Sequence, residues 1–372
     1  MKNFTRFLNW NHLRGLFFSL ILLAGLATPL SAQYRVGPCA GATHATLMDA
    51  YNAIAATGLT SNTTIEICAG LRVNQPIHLT AMAVSPGARL IIKGMTGNAA
   101  DVIYRITNPY PSYALRLDGA RSIDFKSMTF ELAYHASRTR TNVVRANNAA
   151  GDNTFSNVHI NAPTTLPMAC PDNKCATAYL ENVDGDYHFW NCKLNGGTVG
   201  IFAWQAPFSA GSSLHVYDSE FLFQTKKGIQ MKASYHGTNA EIHRNSFTSS
   251  NNDDFTGLSC TANEVAFNAS QNSFWLSNKV NVKGANLKSG NVSLKNNVFI
   301  VTGFTDLIGM WIHGQSEDVL LEDNRIFADP SGFAQAEGIL FEGDFEEGTH
   351  FTRFVEIRRN NLTLKNTYAG NG

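Results

Sequence analysis

Apolar and polar positions alternate in short runs along most of the chain, and between Ala240 and Phe327 these runs settle into a repeated phrase. It reads EIHRNSF at 241–247, FNASQNSF at 267–274, VSLKNNVF at 292–299 and LLEDNRIF at 320–327. Aligned on Asn245, Asn272, Asn297 and Asn324, the steps are 27, 25 and 27 residues. Two residues after each asparagine stands Phe247, Phe274, Phe299 or Ile326; three before it stands Ile242, Ala269, Leu294 or Leu321. A fixed period of this length marks a repeat architecture, in which each unit buries its apolar face only by stacking on a neighbour. The units hold alternating runs and turn residues without a helical period. Each is therefore predicted to be one coil of a parallel β-helix.

The register extends in both directions. Phe125-x-x-Met128-x-Phe130, Phe155-x-x-Val158-x-Ile160, Phe189-x-x-Cys192-x-Leu194 and Val216-x-x-Ser219-x-Phe221 fit it upstream, and Ile357-x-x-Asn360-x-Leu362 fits downstream. That gives nine coils from Phe130 to Leu362, with the longer steps predicting insertions at 133–150, 161–175 and 343–352. Ahead of the coils, 43–58 predicts a helix: Thr46 can cap it, Leu47, Ala50, Tyr51, Ile54 and Ala55 fall at helical spacing, and Gly58 stops it. A helix there would cover an open end whose strand edges would otherwise invite pairing with other chains. The stretches 63–70 and 88–94 read as the first buried strands.

The position at the centre of the phrase changes along the axis, from Met128, Val158, Cys192 and Ser219 to Asn245, Asn272, Asn297, Asn324 and Asn360. A residue stacked on its own kind in every coil must be satisfied there, and amides do so by hydrogen bonding to the next amide and to turn backbone. The five asparagines are read as a structural ladder.

A second strand lies upstream of each phrase, at 114–117, 200–204, 228–232, 280–283, 309–313 and 338–342. Side chains of a strand alternate between its faces. With Ile201, Ala203, Ile229, Met231, Met310, Ile312, Ile339 and Phe341 turned inward, the outward row holds Phe202, Trp204, Gln230, Lys232, Asn281, Lys283, Trp311, His313, Leu340 and Glu342. Trp204 and Trp311 offer flat platforms for sugar rings, and Gln230, Lys232, His313 and Glu342 offer hydrogen bonds beside them. Coils about 4.8 Å apart turn such a row into a long groove suited to a chain polymer. A polysaccharide or surface glycan is the expected partner, and a monomer the expected working unit.

Composition narrows the rest. The chain has 29 basic and 29 acidic residues, so nothing steers it towards nucleic acid or an anionic membrane. Residues 1–32 read as a signal peptide: Lys2, Arg6 and Arg14, then an apolar run at 16–27, then Leu30-Ser31-Ala32 before Gln33. That run is too short to span a bilayer, and no later segment is apolar enough. The expected location is outside the cell, secreted or on the outer surface. Six cysteines in an exported chain permit disulfides in fifteen combinations. A bridge from Cys170 to Cys175 would staple the CPDNKC loop, Cys39 with Cys68 would tie the N-terminal segment to the first strand, and Cys192 and Cys260 are read as buried thiols. No C-x₂-C pair or histidine cluster supports a metal site, and no cofactor is expected.

The opening GATHATLMDAYNAI…TTIEICAG, the stretch LRLDGARSIDFKSMTFE at 115–131 and the N-x-F coils resemble exported right-handed parallel β-helix proteins of Bacteroidetes-type bacteria, within the pectate-lyase-like superfamily. The resemblance implies an all-β, single-stranded right-handed β-helix of about nine or more coils over 33–366, with a short tail at 367–372. Proteins of that kind often carry a separate sorting domain, so the resemblance raises the expectation of one beyond Gly372, or of another export route. It leaves activity open, because the superfamily includes polysaccharide lyases, glycoside hydrolases, adhesins and stalks.

A lyase needs a base beside stabilising cations, and Lys226, Lys227, Lys232, His236 and His313 are candidates by type. Lys226 and Lys227 read more simply as a solvated turn, and the clustered carboxylates of a pectate-lyase calcium site are missing from the sequence pattern. A hydrolase needs paired carboxylates. Asn252-Asp253-Asp254 resembles the paired aspartates of polygalacturonase-type enzymes, but the Asp expected one coil earlier and the GHG turn expected one coil later are absent. Asp253 and Asp254 then read as a polar loop tip, and Asp184 and Asp186 as a glycine-centred turn. The sequence favours a glycan-binding or adhesin-like scaffold, with a polysaccharide-degrading enzyme, lyase before hydrolase, as the alternative.

Overall fold

The computed structural model describes residues 33–164, 170–204, 212–232, 238–250, 254–277, 279–313, 316, 318–330, 335–342 and 354–365. The leader at 1–32, the tail at 367–372, the insertion at 343–352, His236 and Asp253 lie outside the described residues. The chain is a right-handed parallel β-solenoid of about ten turns, with one α-helix among the described residues.

Three strips of strands run its length. The first contains Leu115–Asp118, Val144–Asn147, Ala176–Glu181, Val199–Trp204, Lys227–Lys232, 255–262, 281–289, Asp306–His313 and Gln335–Glu342. The second includes Thr63–Ile67, Leu90–Gly94, Tyr187–Trp190, Ser213–Tyr217 and Thr238–His243. The third includes Glu220–Leu222, Ser246–Ser249, Ser273–Ser277, Val298–Thr302 and Arg325–Asp329. Every strand pairs in parallel with its counterpart one coil on, so Phe221 meets Phe247, Phe247 meets Phe274, and Phe274 meets Phe299.

That register stacks like on like inside the solenoid. Rings of Phe221, Phe247, Phe274 and Phe299 lie 4.5–4.6 Å apart and nearly parallel, and Phe125, Phe155 and Phe189 form a second stack at 5.0–5.1 Å. All seven are fully buried.

The corner between second and third strips is made by one residue in the left-handed region. Ser127, Asn157, Asn191, Asp218, Arg244, Gln271, Asn296, Asp323 and Arg359 all have φ between 52° and 57°. Residues with a Cβ adopt this conformation at a cost. The residue that follows holds the corner. Asn245 N and Nδ2 both donate to Asn272 Oδ1 at 3.0 Å, and the second Nδ2 hydrogen reaches Val216 O at 2.9 Å. The same set recurs from Asn272 to Asn297, Asn297 to Asn324 and Asn324 to Asn360. Ser219 Oγ and Asn245 Oδ1 carry it back to Cys192.

The helix spans Leu47–Thr57. Thr46 caps it through a reciprocal pair with Asp49, each bond 3.1 Å, and Leu47, Ala50, Tyr51 and Ile54 are buried against the first coil. Disulfides join Cys39 to Cys68 and Cys170 to Cys175, while Cys192 and Cys260 are buried free thiols.

The strands of the first strip differ from the sequence reading in two places. The insertion expected at 133–150 is not all loop: within it, Val144–Asn147 is a strand whose Val144 and Ala146 point inward, and it joins the first strip, as do 176–181 and 255–262. The outward row also differs at the seventh of these strands, 281–289. Asn286 and Lys288, not Asn281 and Lys283, stand in line with Gln230 and its neighbours, because Gly284 and Ala285 are both buried and break the alternation.

Candidate functional site

The outward face of the first strip carries one column in register from end to end. It runs His78, Arg116, Arg145, Tyr179, Phe202, Gln230, Ser259, Asn286, Trp311 and Leu340. Two residues further along the strands lies a second column, with Asp118, Glu181, Trp204, Lys232, Lys288, His313 and Glu342. Strict alternation places them there: Ile201, Ala203, Ile229, Met231, Met310 and Ile312 fill the core behind. In the last of these strands Phe341 is 37% exposed, no described coil covering it.

Midway along the face, Pro171, Asp172, Phe202, Trp204 and Lys232 line an open hollow of about 390 Å³. Its wall is the CPDNKC loop, closed by the Cys170–Cys175 disulfide. Asp172 takes Lys227 Nζ at 2.7 Å and Lys226 Nζ at 3.8 Å. Lys227 is therefore not part of a solvated turn; it pins the loop to the sheet, with the half-exposed Lys226 beside it. Trp204 is 42% exposed, and the Lys232 ammonium lies 6.0 Å from the centre of the Phe202 ring.

Gln230 does not belong to the reachable row. It is 2% exposed, wedged in its column between Phe202 at 3% and Ser259 at 5%. A group that closed off cannot touch a polymer.

Three coils further on is a second hollow, of about 380 Å³, lined by Asp254, Phe255, Thr256, Asn281, Val282, Lys283, Asp306 and Ile308. Asn281 Nδ2 donates to Asp254 Oδ1 at 2.7 Å. The Lys283 ammonium sits 3.8 Å over the Trp311 ring, and burial holds it below the ordinary lysine range against the opposing pull of Asp254 and Glu342. Trp311 is not a bare platform: His313 stacks on it at 4.9 Å and its Nε1 donates to Glu342 Oε2 at 3.0 Å. His313 Nε2 lies 2.9 Å from Asn286 Oδ1. Trp311, His313 and Glu342 thus form one cluster, while Trp204 and Lys232 form another. Asp254 is part of the second hollow's wall as well as a loop end.

The sequence reading missed the N-terminal third of the face. Arg116 Nη2 meets Asp118 Oδ2 at 2.7 Å, with His78 Nε2 at 3.4 Å from the same oxygen. Burial opposes ionisation of Asp118, but Asn148, Arg116 and His78 together hold its carboxyl below the ordinary value. Arg145 pairs with Glu181 at 3.0 Å and lies over the Tyr179 ring at 5.9 Å. Burial, then the Glu181 charge, push the Tyr179 hydroxyl well above its ordinary range. The signal was available once 144–147 was read as a strand, since Arg145 then falls in line with Arg116.

Metal-ligating side chains gather elsewhere, on the second strip, where the register sets His188 beside His215. Asp184, in the turn around Gly185, pairs with Arg121 at 3.0 Å.

No protein-family model matches the chain, and no curated protein matches it in sequence. Among solved structures it is similar to the pectin methylesterase from Aspergillus niger in deglycosylated form, at 13% identity over 88% of this chain and 91% of that one, with a TM-score of 0.36. The penultimately deglycosylated form of that enzyme gives 13% identity and a TM-score of 0.38. The Dettilon tailspike protein is similar at 8% identity over 78% of this chain and 64% of its own, with a TM-score of 0.35. The likeness is one of coiled outline.

Proposed function

We propose that this chain is an exported β-helix protein of the pectate-lyase-like kind found in Bacteroidetes-type bacteria, and that it binds an extended polysaccharide along the outward face of its first strip. The observation that supports this reading is the pair of hollows on one face, one with Trp204 and Lys232, the other bordered by Lys283 over Trp311. Trp204 and Trp311 stand four coils apart, roughly 19 Å at the usual strand spacing. A single small ligand does not need two such hollows; a polymer lying along the stack meets both. Export is supported by two disulfides, which persist in oxidising compartments.

One observation favours the alternative, a polysaccharide-degrading enzyme. Lys283 is partly desolvated and lies in a hollow with Asp254 and Asp306, and a lysine so placed can serve as a base in lyase chemistry. The deciding experiment incubates the chain from Gln33 onward with uronate and neutral polysaccharides, following polymer pull-down, unsaturated-uronate absorbance and reducing ends together. Binding without turnover, weakened by Trp204→Ala, supports the scaffold. Turnover abolished by Lys283→Ala makes the protein an enzyme. Neither binding nor turnover on any polymer overturns both.

A further inference from the structure

The second strip brings together three metal-ligating side chains that are scattered in the sequence. Tyr187–Trp190 and Ser213–Tyr217 pair in parallel with His188 directly opposite His215. Their rings stack face to face, centroids 4.4 Å apart and planes 5° from parallel. Asp186 precedes His188 by two residues, and one donor atom from each of Asp186, His188 and His215 lies within 4.8 Å of the others. All three residues are half-buried, at a surface an ion can reach.

We propose that Asp186, His188 and His215 bind a divalent transition-metal ion of the zinc class. Two imidazoles and a carboxylate are the donor set such ions prefer over Ca²⁺ or Mg²⁺, which take oxygen. Donors around a tetrahedral zinc stand about 3.3 Å apart at Zn–N near 2.0 Å, so side-chain rotation alone closes the present spread. His215 has a partner on one ring nitrogen: its Nδ1 lies 3.3 Å from the Tyr217 hydroxyl, so Nε2 is the atom the proposal assigns to the ion. A partner on the second ring nitrogen is the usual support of a ligating histidine. Asp186 makes no side-chain hydrogen bond or ion pair among the described residues, whereas the neighbouring carboxylates Asp124, Asp152 and Asp184 are held by Arg89 and Arg121. Three protein donors leave one position open, the arrangement of an ion that takes an outside ligand rather than of a closed structural site.

The test is calorimetric titration of ZnCl₂ into the chelator-treated protein, with X-ray absorption of the loaded form to count imidazole ligands. One saturable site with two imidazoles is expected. His188→Ala and His215→Ala should each weaken it at least about 100-fold, and Tyr217→Phe about 10-fold, the usual scale for ligands and their supports. His243→Ala, one coil on and held by Glu241 at 2.7 Å and Ser270 at 2.6 Å, should leave it unchanged. Circular dichroism would show that each variant keeps its fold. Absence of saturable binding in the unmodified protein overturns the proposal, as does binding that survives the double variant or is lost equally in His243→Ala.

Discussion

Gly257 lies where Phe274 needs the room. A Cβ at Gly257 would fall 2.5 Å from Phe274 Cε1 and 2.6 Å from the carbonyl oxygen of Gly284. Gly228 stands in the same relation to Phe247, and Gly284 to Phe299. The glycines at 200, 228, 257 and 284 are thus the counterpart of the aromatic stack, each leaving space for the ring across the core, while Gly309 faces Ile326 and Gly338 faces Leu362.

Gly257→Ala should therefore destabilise the middle of the solenoid by about 1–3 kcal/mol, the usual cost of overpacking, because the opposing carbonyl is backbone and cannot step aside. Gly338→Ala, whose nearest neighbour is a Leu362 side-chain atom at 3.3 Å, should cost less. Urea unfolding of the two variants side by side checks the order. Equal midpoints would refute it.

The asparagine ladder makes a graded prediction. Asn272→Ala removes the acceptor for two donors of Asn245 and strands the Ile242 carbonyl, all buried. Leaving such groups unsatisfied costs about 1–3 kcal/mol each, so a loss of several kcal/mol is expected. Asn360→Ala, at the partly exposed end of the ladder, should lose distinctly less. Hydrogen exchange at the amides of Asn245 and Asn324 would report the two effects locally.

On the outward face, Trp204→Ala should weaken polysaccharide binding about 10-fold or more, in the range of an exposed aromatic anchor. Trp275→Ala removes an equally large ring, 54% exposed on the third strip, and should leave affinity unchanged. Affinity electrophoresis of both variants decides it. Equal effects would show that the first strip is not the binding face.

The Cys192 and Cys260 thiols supply a pH prediction. Burial pushes each from the ordinary 9.0 up to about 12. A folded-state pKa raised in this way contributes stability that is complete below the unfolded value. It is lost as pH climbs from about 9 towards about 12. Unfolding midpoints should therefore fall over that window, less steeply in Cys192→Ala/Cys260→Ala if the smaller side chains are tolerated. In the native protein at pH 8 neither thiol should react with a disulfide reagent, and both should react after denaturation.

Reduction separates the two disulfides. Cys39–Cys68 closes a loop of 29 residues, for which chain entropy predicts about 3–4 kcal/mol, while Cys170–Cys175 spans 5 and predicts less. Cys39→Ser should lower the thermal midpoint markedly. Cys170→Ser should act on polymer binding instead, by releasing the Asp172 wall of the central hollow.

The sequence by itself determined the solenoid, since a period near 27 with Asn and Phe at fixed places can be satisfied only by coils stacked in register. Asn245, Asn272 and their successors show their role in the sequence because a ladder repeats its residue every coil. The helix at Leu47–Thr57 was legible because its cap and apolar spacing are local. Gln230 was not: alternation correctly turned it outward, but whether an outward residue is reached depends on what packs over it. Nor was the alignment of Asn286 with Trp311, since two consecutive buried residues, Gly284 and Ala285, make the outward row resume three residues after Lys283. Only the tertiary structure brought Lys227 to Asp172, 55 residues away, and His188 to His215, one coil apart. Each coil fixes its own inward side chains through packing with its neighbours. Partners on the outside are chosen by register and by inserted loops, which the repeat does not specify.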